Sequence, residues 1–388
     1  MTQKFIILSI LFTSVIFSSC KNKSAWVDES IDTAAFQLNQ MATEIADSAK
    51  LPRSIKNGQI RLEDQYDWTS GFFPGSLWYM YEFTKDEKFK EQALKYTNLL
   101  YSVKDYTQTH DLGFMVYCSY GNAYRITNDS TYLPVMVQTA ENLISRFDTT
   151  TQTIRSWDFG DWQYPVIIDN MMNLELLFWA SDQTKDPKYK NVALRHADTT
   201  MKNHYRADYS SYHVIDYDTI TGEVRSKGTF QGYADESAWA RGQAWGLYGY
   251  IVCYRYTGDK KYLEFAENIA AYIMKNVKTE DKIPYWDYNA PDIPDAPRDA
   301  SAAAITASAL LELKDMVKDG TQYYNYAETI LKNLSGEQYL AKKGENKGFI
   351  LMHSVGHLPA NSEIDTPLNY ADYYYLEALK RYRSANNE

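Results

Sequence analysis

Apolar residues recur along most of this chain with a period near 3.6, the spacing of helices that bury one face. Twelve segments carry that period, near 28–50, 72–84, 87–103, 113–127, 131–147, 167–182, 187–204, 235–256, 260–277, 300–317, 321–334 and 369–383. Strand-like alternation is rare. "SYHVIDYD" (211–218) has it and is expected to form a short hairpin inside a loop. A short motif also repeats between helical segments: "TKDEKF" (84–89), "TNDSTY" (127–132), "TKDPKY" (184–189) and "TGDKKY" (257–262). Each copy reads as a helix end, a turn, an Asp that caps the next helix, and an aromatic that anchors it. Repetition of this kind indicates stacked helical hairpins.

Twelve helices in six hairpins predict an all-α fold, an (α/α)6 barrel, with an open solenoid of helix pairs as its rival. The long connections at 148–166, 205–234, 278–299 and 335–368 favour the barrel, because loops of that length in a compact fold usually carry function. No low-complexity linker interrupts the chain after residue 30, so one domain is expected over 21–388.

The first twenty residues differ. "MTQKFIILSILFTSVIFSSC" has one early Lys, a short apolar run, then small residues before a Cys. The run is too short to span a bilayer and reads as an export signal. Ser18-Ser19-Cys20 resembles a bacterial lipoprotein cleavage site with Cys20 acylated. Residues 1–20 are therefore expected to be removed up to that Cys. The mature chain would then sit in the periplasm or on the outer membrane of a Gram-negative bacterium, touching membrane only through its anchor. Cys118 and Cys253 lie in apolar helical contexts and read as two buried free thiols rather than a disulfide.

The composition is that of a globular protein, with 34 Tyr, 15 Phe and 9 Trp as its unusual feature. Aromatics fill cores, and they also form the platforms on which sugar rings stack. The net charge of −10 argues against nucleic acid, and no basic run offsets it. There is no CxxC, no HExxH, and no glycine-rich phosphate loop after a strand. His353 and His357 are four apart but lie in a Gly/Pro-bearing loop without a carboxylate pattern typical of a site, so no metal site is expected.

What remains is carboxylates among aromatics. Asp169 opens "DNMMNLELLFWA" and Asp111 opens "DLGFMVYCSYG". Each stands where a helix N-cap belongs, and capping alone would account for it. An acid carried into an apolar wall, however, has its neutral form favoured, as a proton donor requires. Arg241 lies in "DESAWARGQAWGLYGY" (235–250) beside Gly242, Gly246 and Gly249, each costing ~0.5–1 kcal/mol in a helix interior. Close helix packing or close approach of a ligand would explain the glycines. A core Asp or a substrate carboxylate would pair the arginine. Trp68, in "YDWTSGFFPGSLWYMYEF" (66–83), is either a packing residue or a sugar-stacking wall. Arg225 and Lys227 read as solvated loop cations in preference to a sulfate site.

"HDLGF", "RSWDFG", "IIDNMMNLELLFWA", "QGYADESAWARGQAWGLYGY", "PRDASAAAITASALLEL" and "DYYYLEAL" together resemble glycoside hydrolase family 88, the unsaturated glucuronyl hydrolases, from about residue 60 to the C-terminus. The resemblance implies an (α/α)6 barrel. It also implies an enzyme that releases a 4,5-unsaturated uronic acid from the non-reducing end of lyase-generated oligosaccharides, glycosaminoglycan disaccharides by default, without a cofactor. Asp169 matches the family's acid/base, which protonates C4 and then activates water toward C5. Asp111 matches the second Asp, which holds ring hydroxyls and tunes the first. His213, Gln231, Trp239, Arg241 and Trp245 match substrate-binding positions and Trp157 a stacking aromatic, while Ser354 falls in a late loop near the substrate. The unsaturated rhamnogalacturonyl hydrolases, which act on pectin fragments, share the fold but usually depart after Arg-Gly in WARGQAW. A conventional inverting glycosidase and a non-catalytic surface glycan-binding lipoprotein are the other readings.

Overall fold

The computed structural model of the protein describes residues 25–386, so the expected export signal and Cys20 lie outside the described residues. Twelve α-helices are present among the described residues: α1 (Ala25–Glu44), α2 (Phe72–Thr84), α3 (Glu87–Leu99), α4 (Asn122–Thr127), α5 (Leu133–Ile144), α6 (Asn170–Thr184), α7 (Pro187–Asn203), α8 (Ala240–Thr257), α9 (Lys260–Asn276), α10 (Ala300–Leu313), α11 (Thr321–Leu334) and α12 (Asn369–Ala385). A π-helical segment, Gly113–Gly121, runs directly into α4.

Two kinds of helix alternate. The odd-numbered ones from α3 onward bury a single stripe. In α9 that stripe is Tyr262, Ala266, Ile269, Ala270 and Ile273. The inner ones, α2, the Gly113–Gly121 segment, α6, α8, α10 and α12, are buried nearly all round: every residue of α8 from Ala240 to Cys253 is buried. A helix without a polar face must lie inside. The inner helices touch in the order α2, the 113–127 segment, α6, α8, α10, α12, and α12 returns to α2. This closed ring is the expected barrel; an open solenoid would leave α2 and α12 apart.

The repeated motif does what its sequence implies. Asp86, Asp129, Asp186 and Asp259 each accept a hydrogen bond from the backbone N–H two residues on, capping the next helix. The Thr two places before each Asp donates to the carbonyl four residues back and accepts the Asp N–H. The residue between them, Lys85, Asn128, Lys185 or Gly258, takes the left-handed conformation that ends the preceding helix. The aromatics Phe89, Tyr132, Tyr189 and Tyr262 are buried.

Several boundaries move. The helix expected over 28–50 stops at Glu44, and a hairpin follows, β1 (Leu51–Lys56) with β2 (Gln59–Glu63). Its turn is Asn57-Gly58, both at positive φ, a hairpin signal that was present in the sequence. After the two-residue strands β3 (Phe147–Asp148) and β4 (Thr153–Ile154), the segment β5 (Pro165–Ile167) takes the start of the helix expected at 167. It pairs with β6 (Val214–Tyr217), which also pairs with β7 (Val224–Gly228). The "SYHVIDYD" strand is therefore the middle of three, and α6 begins only at Asn170. The helix expected from 235 starts at Ala240. Cys118 and Cys253 are buried and free. No helix among the described residues is long and apolar enough to cross a membrane.

Candidate active site

Because outer and inner helices alternate, all six inner helices run the same way and begin at one mouth of the ring. Asp111, Asp169, Trp239 and Asp299 sit at four of those starts. Parallel helix N-termini present partial positive charge and free N–H groups. That field gives an acidic chain a mouth suited to an anion. A cleft of about 740 Å³ opens there, with Asp111, Asp169, Trp157, Trp68 and Gln231 among its lining residues.

Asp169 is not a side-chain cap. Its backbone is already helical (φ −57°, ψ −27°) and its carboxyl accepts no N–H from the helix. The residue is 6% exposed, and Oδ2 has no hydrogen-bond partner. Burial pushes its pKa up to about 7. The Arg241 charge opposes this and the Asp111 charge adds to it. A carboxyl in this state holds its proton near neutrality and can give it away. Asp111 is more exposed. The Thr109 hydroxyl donates to its Oδ2 at 2.8 Å, and His110 Nε2 lies 3.4 Å from its Oδ1. It too takes no helix N–H.

His213 lies on the other side of Asp169, its Nε2 3.6 Å from Asp169 Oδ2. The backbone N–H groups of Phe230 and Gln231 both donate to His213 Nδ1, at 3.1 Å each. That fixes the tautomer with the proton on Nε2, aimed at the acid. Burial, reinforced by the Arg241 charge, holds the pKa well below the usual histidine range, so the ring is a neutral donor. Trp239 packs on it with ring centroids 4.6 Å apart. Buried donors without partners gather here: His213 Nε2, Trp245 Nε1, Trp157 Nε1 and Arg241 Nε. An unpaired buried donor costs ~1–3 kcal/mol, a cost that an acceptor-rich ligand would remove.

Arg241 finds in the structure the first of its two expected partners, a core Asp. It is fully buried behind the cleft wall. Its guanidinium bonds Asp299 Oδ2 at 3.2 Å, Gly356 O at 2.7 Å and Val355 O, with Trp239 4.4 Å beneath it. The core Asp is its partner. Because Asp299 also caps α10 through Ser301 N, the arginine ties α8, α10 and the 353–357 loop together. The three glycines of α8 make room for close packing by neighbouring side chains. A Cβ at Gly249 would lie 2.4 Å from Met171 Cβ on α6, one at Gly246 2.0 Å from the Tyr205 hydroxyl, and one at Gly242 2.7 Å from the Trp239 ring.

The remaining expected residues divide. Trp68, Trp157 and Gln231 line the cleft. Trp239 and Trp245 form the layer beneath, and Ser354 is fully buried with its hydroxyl unpartnered. Residues given no site role from the sequence also line it: Arg53, Tyr66, Asp67, Thr109, His110, Phe159 and Phe230, together with His357, weighed there only as a metal ligand. Arg53 arrives on the β1–β2 hairpin, clamped by Glu363 (2.7 and 2.8 Å) and Asp67 (2.8 Å). Arg225 pairs with Asp216 and Lys227 donates to Asn203 O, as solvated loop cations would. His353 bonds Asp365 at 2.6 Å while His357 Nε2 donates to Phe230 O, so the two do not converge. No group of three His, Cys, Asp or Glu side chains placed to hold an ion occurs among the described residues.

Residues 39–383 match the family model Glycosyl Hydrolase Family 88. An unsaturated glucuronyl hydrolase of Formosa agariphila is 51% identical over 319 residues, covering 81% of this chain and 80% of the relative. The crystal structure of an unsaturated glucuronyl hydrolase specific for heparin is 54% identical, with a TM-score of 0.92 over 94% of this chain and 99% of that one. The Streptococcus agalactiae unsaturated glucuronyl hydrolase, carrying an Asp-to-Asn substitution and complexed with dGlcA-GalNAc6S, is 32% identical, with a TM-score of 0.79 over 92% of each chain.

Proposed function

This chain belongs to glycoside hydrolase family 88, and from that premise we propose that it removes a 4,5-unsaturated uronic acid from the non-reducing end of glycosaminoglycan-derived oligosaccharides by hydrating the C4=C5 bond. It is a glycosidase of the unsaturated glucuronyl hydrolase type. The observation that carries the mechanism is that Asp169 is buried and unpartnered at Oδ2, a setting in which burial pushes its pKa up to about 7.

Asp169 gives its proton to C4 of the vinyl ether, and the ring oxygen stabilises the cation left at C5. The Asp169 carboxylate then takes a proton from water as the water oxygen bonds C5. One residue is thus acid first and base second, a role worth ~10²–10⁴ in rate. The C5 hemiketal opens to a ketone, leaving C1 as a hemiacetal that expels the glycosidic partner as an alcohol. Asp111 accepts hydroxyl protons of the sugar and, as a neighbouring negative charge, raises the Asp169 pKa. His213 donates from Nε2 without competing for the proton. The converging helix starts and the indole N–H groups of Trp157 and Trp245 meet the uronate oxygens. Arg241 acts through its field on Asp169 and by bracing the loop around Gly356.

The test is spectroscopic. The C4=C5 bond conjugated with the carboxylate absorbs in the ultraviolet. The wild type is expected to bleach that band on chondroitin- or heparin-derived disaccharides, and Asp169→Asn to bind them without bleaching. No bleaching on chondroitin, hyaluronan, heparin and pectin disaccharides would refute the assignment.

We also propose that the chain is exported and anchored through an acylated Cys20. The short apolar run and Ser18-Ser19-Cys20 support this. Fractionation of cells tests it: the wild type should follow the membranes and Cys20→Ala should not. Equal partitioning would exclude the anchor.

A further inference from the structure

The chain enters the ring at the mouth opposite the cleft. Inner helices begin at the cleft, so outer helices begin at the other end, and α1 is the first of the outer ones. Contacts of its first turn fix the direction. Trp26 packs on Tyr382 with ring centroids 5.1 Å apart, and Asp28 lies 3.4 Å from Arg383, both in the last turn of α12. The other end of α1 leads into the β1–β2 hairpin, whose Arg53 lines the cleft. The 20 residues of α1 span ~30 Å between the two mouths, at 1.5 Å per residue.

Cys20 stands five residues before Ala25. Even fully extended, that stretch reaches no more than ~18 Å. A lipid on Cys20 therefore holds the start of α1 within that distance of the bilayer. With the cleft set against the bilayer, the start of α1 would stand ~30 Å or more above it, beyond the reach of the tether. That orientation is excluded, and surface charge chooses among the rest.

The repeated turns all lie at this opposite mouth, because each joins the end of an inner helix to the start of the next outer one. Residues 84–90, 127–132, 184–190, 257–262, 314–319 and 380–383 hold thirteen Lys or Arg against seven Asp or Glu, whereas the whole chain holds 40 against 50. The sign of the surface is thus reversed here. Lys85, Lys185, Lys260 and Lys318 are exposed in these turns, and among the described residues none of the four is paired with an acid. Clustered cations next to an anchor are drawn to anionic headgroups.

We propose that this mouth is the membrane-facing surface of the anchored enzyme: its ring of lysines lies on anionic phospholipid headgroups, and the cleft points away from them. The proposal rests on the acylation of Cys20 proposed above. The cleft then stands roughly 30 Å from the headgroups, more than three Debye lengths of ~8 Å at physiological salt. Membrane charge at that distance does not repel an anionic oligosaccharide.

The acylated chain in vesicles of phosphatidylethanolamine and phosphatidylglycerol tests this. Cys118 and Cys253 are buried, so a thiol-reactive fluorophore reports one introduced position. One label goes on Gln183→Cys, exposed at the end of α6, and the other on Ala360→Cys, exposed three residues after the cleft residue His357. A nitroxide attached to lipid headgroups should quench the label at 183 and leave the label at 360 bright. Lys185→Glu, Lys260→Glu and Lys318→Glu combined should lose the quenching at 183 while the chain stays on the vesicles through its lipid. Quenching at 360, at both positions equally or at neither would overturn the orientation. Unchanged quenching in the triple variant would overturn the role of the lysines. A wild type that fractionates like Cys20→Ala would overturn the anchor and the orientation with it, a failure read from the cells and not from the labels.

Discussion

Replacing Asp169 with Asn should abolish turnover and, at the same time, stabilise the fold in a way that grows with pH. The carboxyl titrates near 7 in the folded chain against an ordinary value of 3.8, chiefly because burial disfavours its charge. At about 1.4 kcal/mol per pH unit, ionising it inside the fold costs roughly 4 kcal/mol. The sign follows from the raised value. Below the unfolded pKa both states hold the proton and nothing is lost. As pH rises from there toward 7, the unfolded chain releases the proton first and stability falls, levelling off above 7. Asparagine has no proton to lose. The stability advantage of Asp169→Asn over wild type should therefore widen by roughly 3 kcal/mol between about pH 5 and about pH 8.5. Urea unfolding of both proteins at the two pH values reads it as a change in midpoint at constant slope. The reasoning fails if the two midpoints keep a constant separation across that range. In the wild type, catalysis should fall as pH climbs through about 7, where Asp169 loses the proton it must give.

Arg241→Ala should cost ~3–5 kcal/mol by leaving Asp299 buried without its cation, and Arg241→Met with Asp299→Asn should recover most of that in urea titrations. Because Arg241 lowers the Asp169 pKa, the alkaline limb of activity should move to higher pH in the folded double variant; an unmoved limb would remove the electrostatic role. Gly246→Ala should destabilise by ~1–3 kcal/mol through its clash with the Tyr205 hydroxyl, and Tyr205→Phe should rescue part of the loss; the double-mutant cycle measures the coupling. Lys185→Gly, at a left-handed helix end where Gly258 already stands in the equivalent repeat, should stabilise by about 0.5 kcal/mol, and Gly258→Lys should do the reverse, both read as thermal midpoints.

The barrel was legible because its signals are local. Helix period, the Asp caps and the buried aromatics of the Thr-x-Asp repeats all fall within a few residues of one another. Ring closure was not local. It depends on α12 meeting α2 across nearly the whole chain, and only loop length hinted at it. The site divides in the same way. Asp169 and Asp111 stood out as polar breaks in apolar patterns, whereas Trp157 was reached only through the family resemblance. Arg241 stood out too, but its partner Asp299 is 58 residues away, and nothing local could choose between that acid and a ligand. Arg53 and Phe159 were missed because they enter from a hairpin and a loop, where no period marks a residue's direction. The Asn57-Gly58 turn was the available clue to the hairpin. The tautomer of His213 was beyond sequence altogether, because two backbone N–H groups from a distant loop set it.

Turnover in deuterium oxide tests the central assignment most directly. If Asp169 hydrates the C4=C5 bond, the product carries one deuterium at C4, delivered to a single face, and the ultraviolet band disappears in step with release of the glycosidic partner. Release of that partner with the double bond intact and no deuterium at C4 would mean direct attack at C1, and would contradict the role given to Asp169.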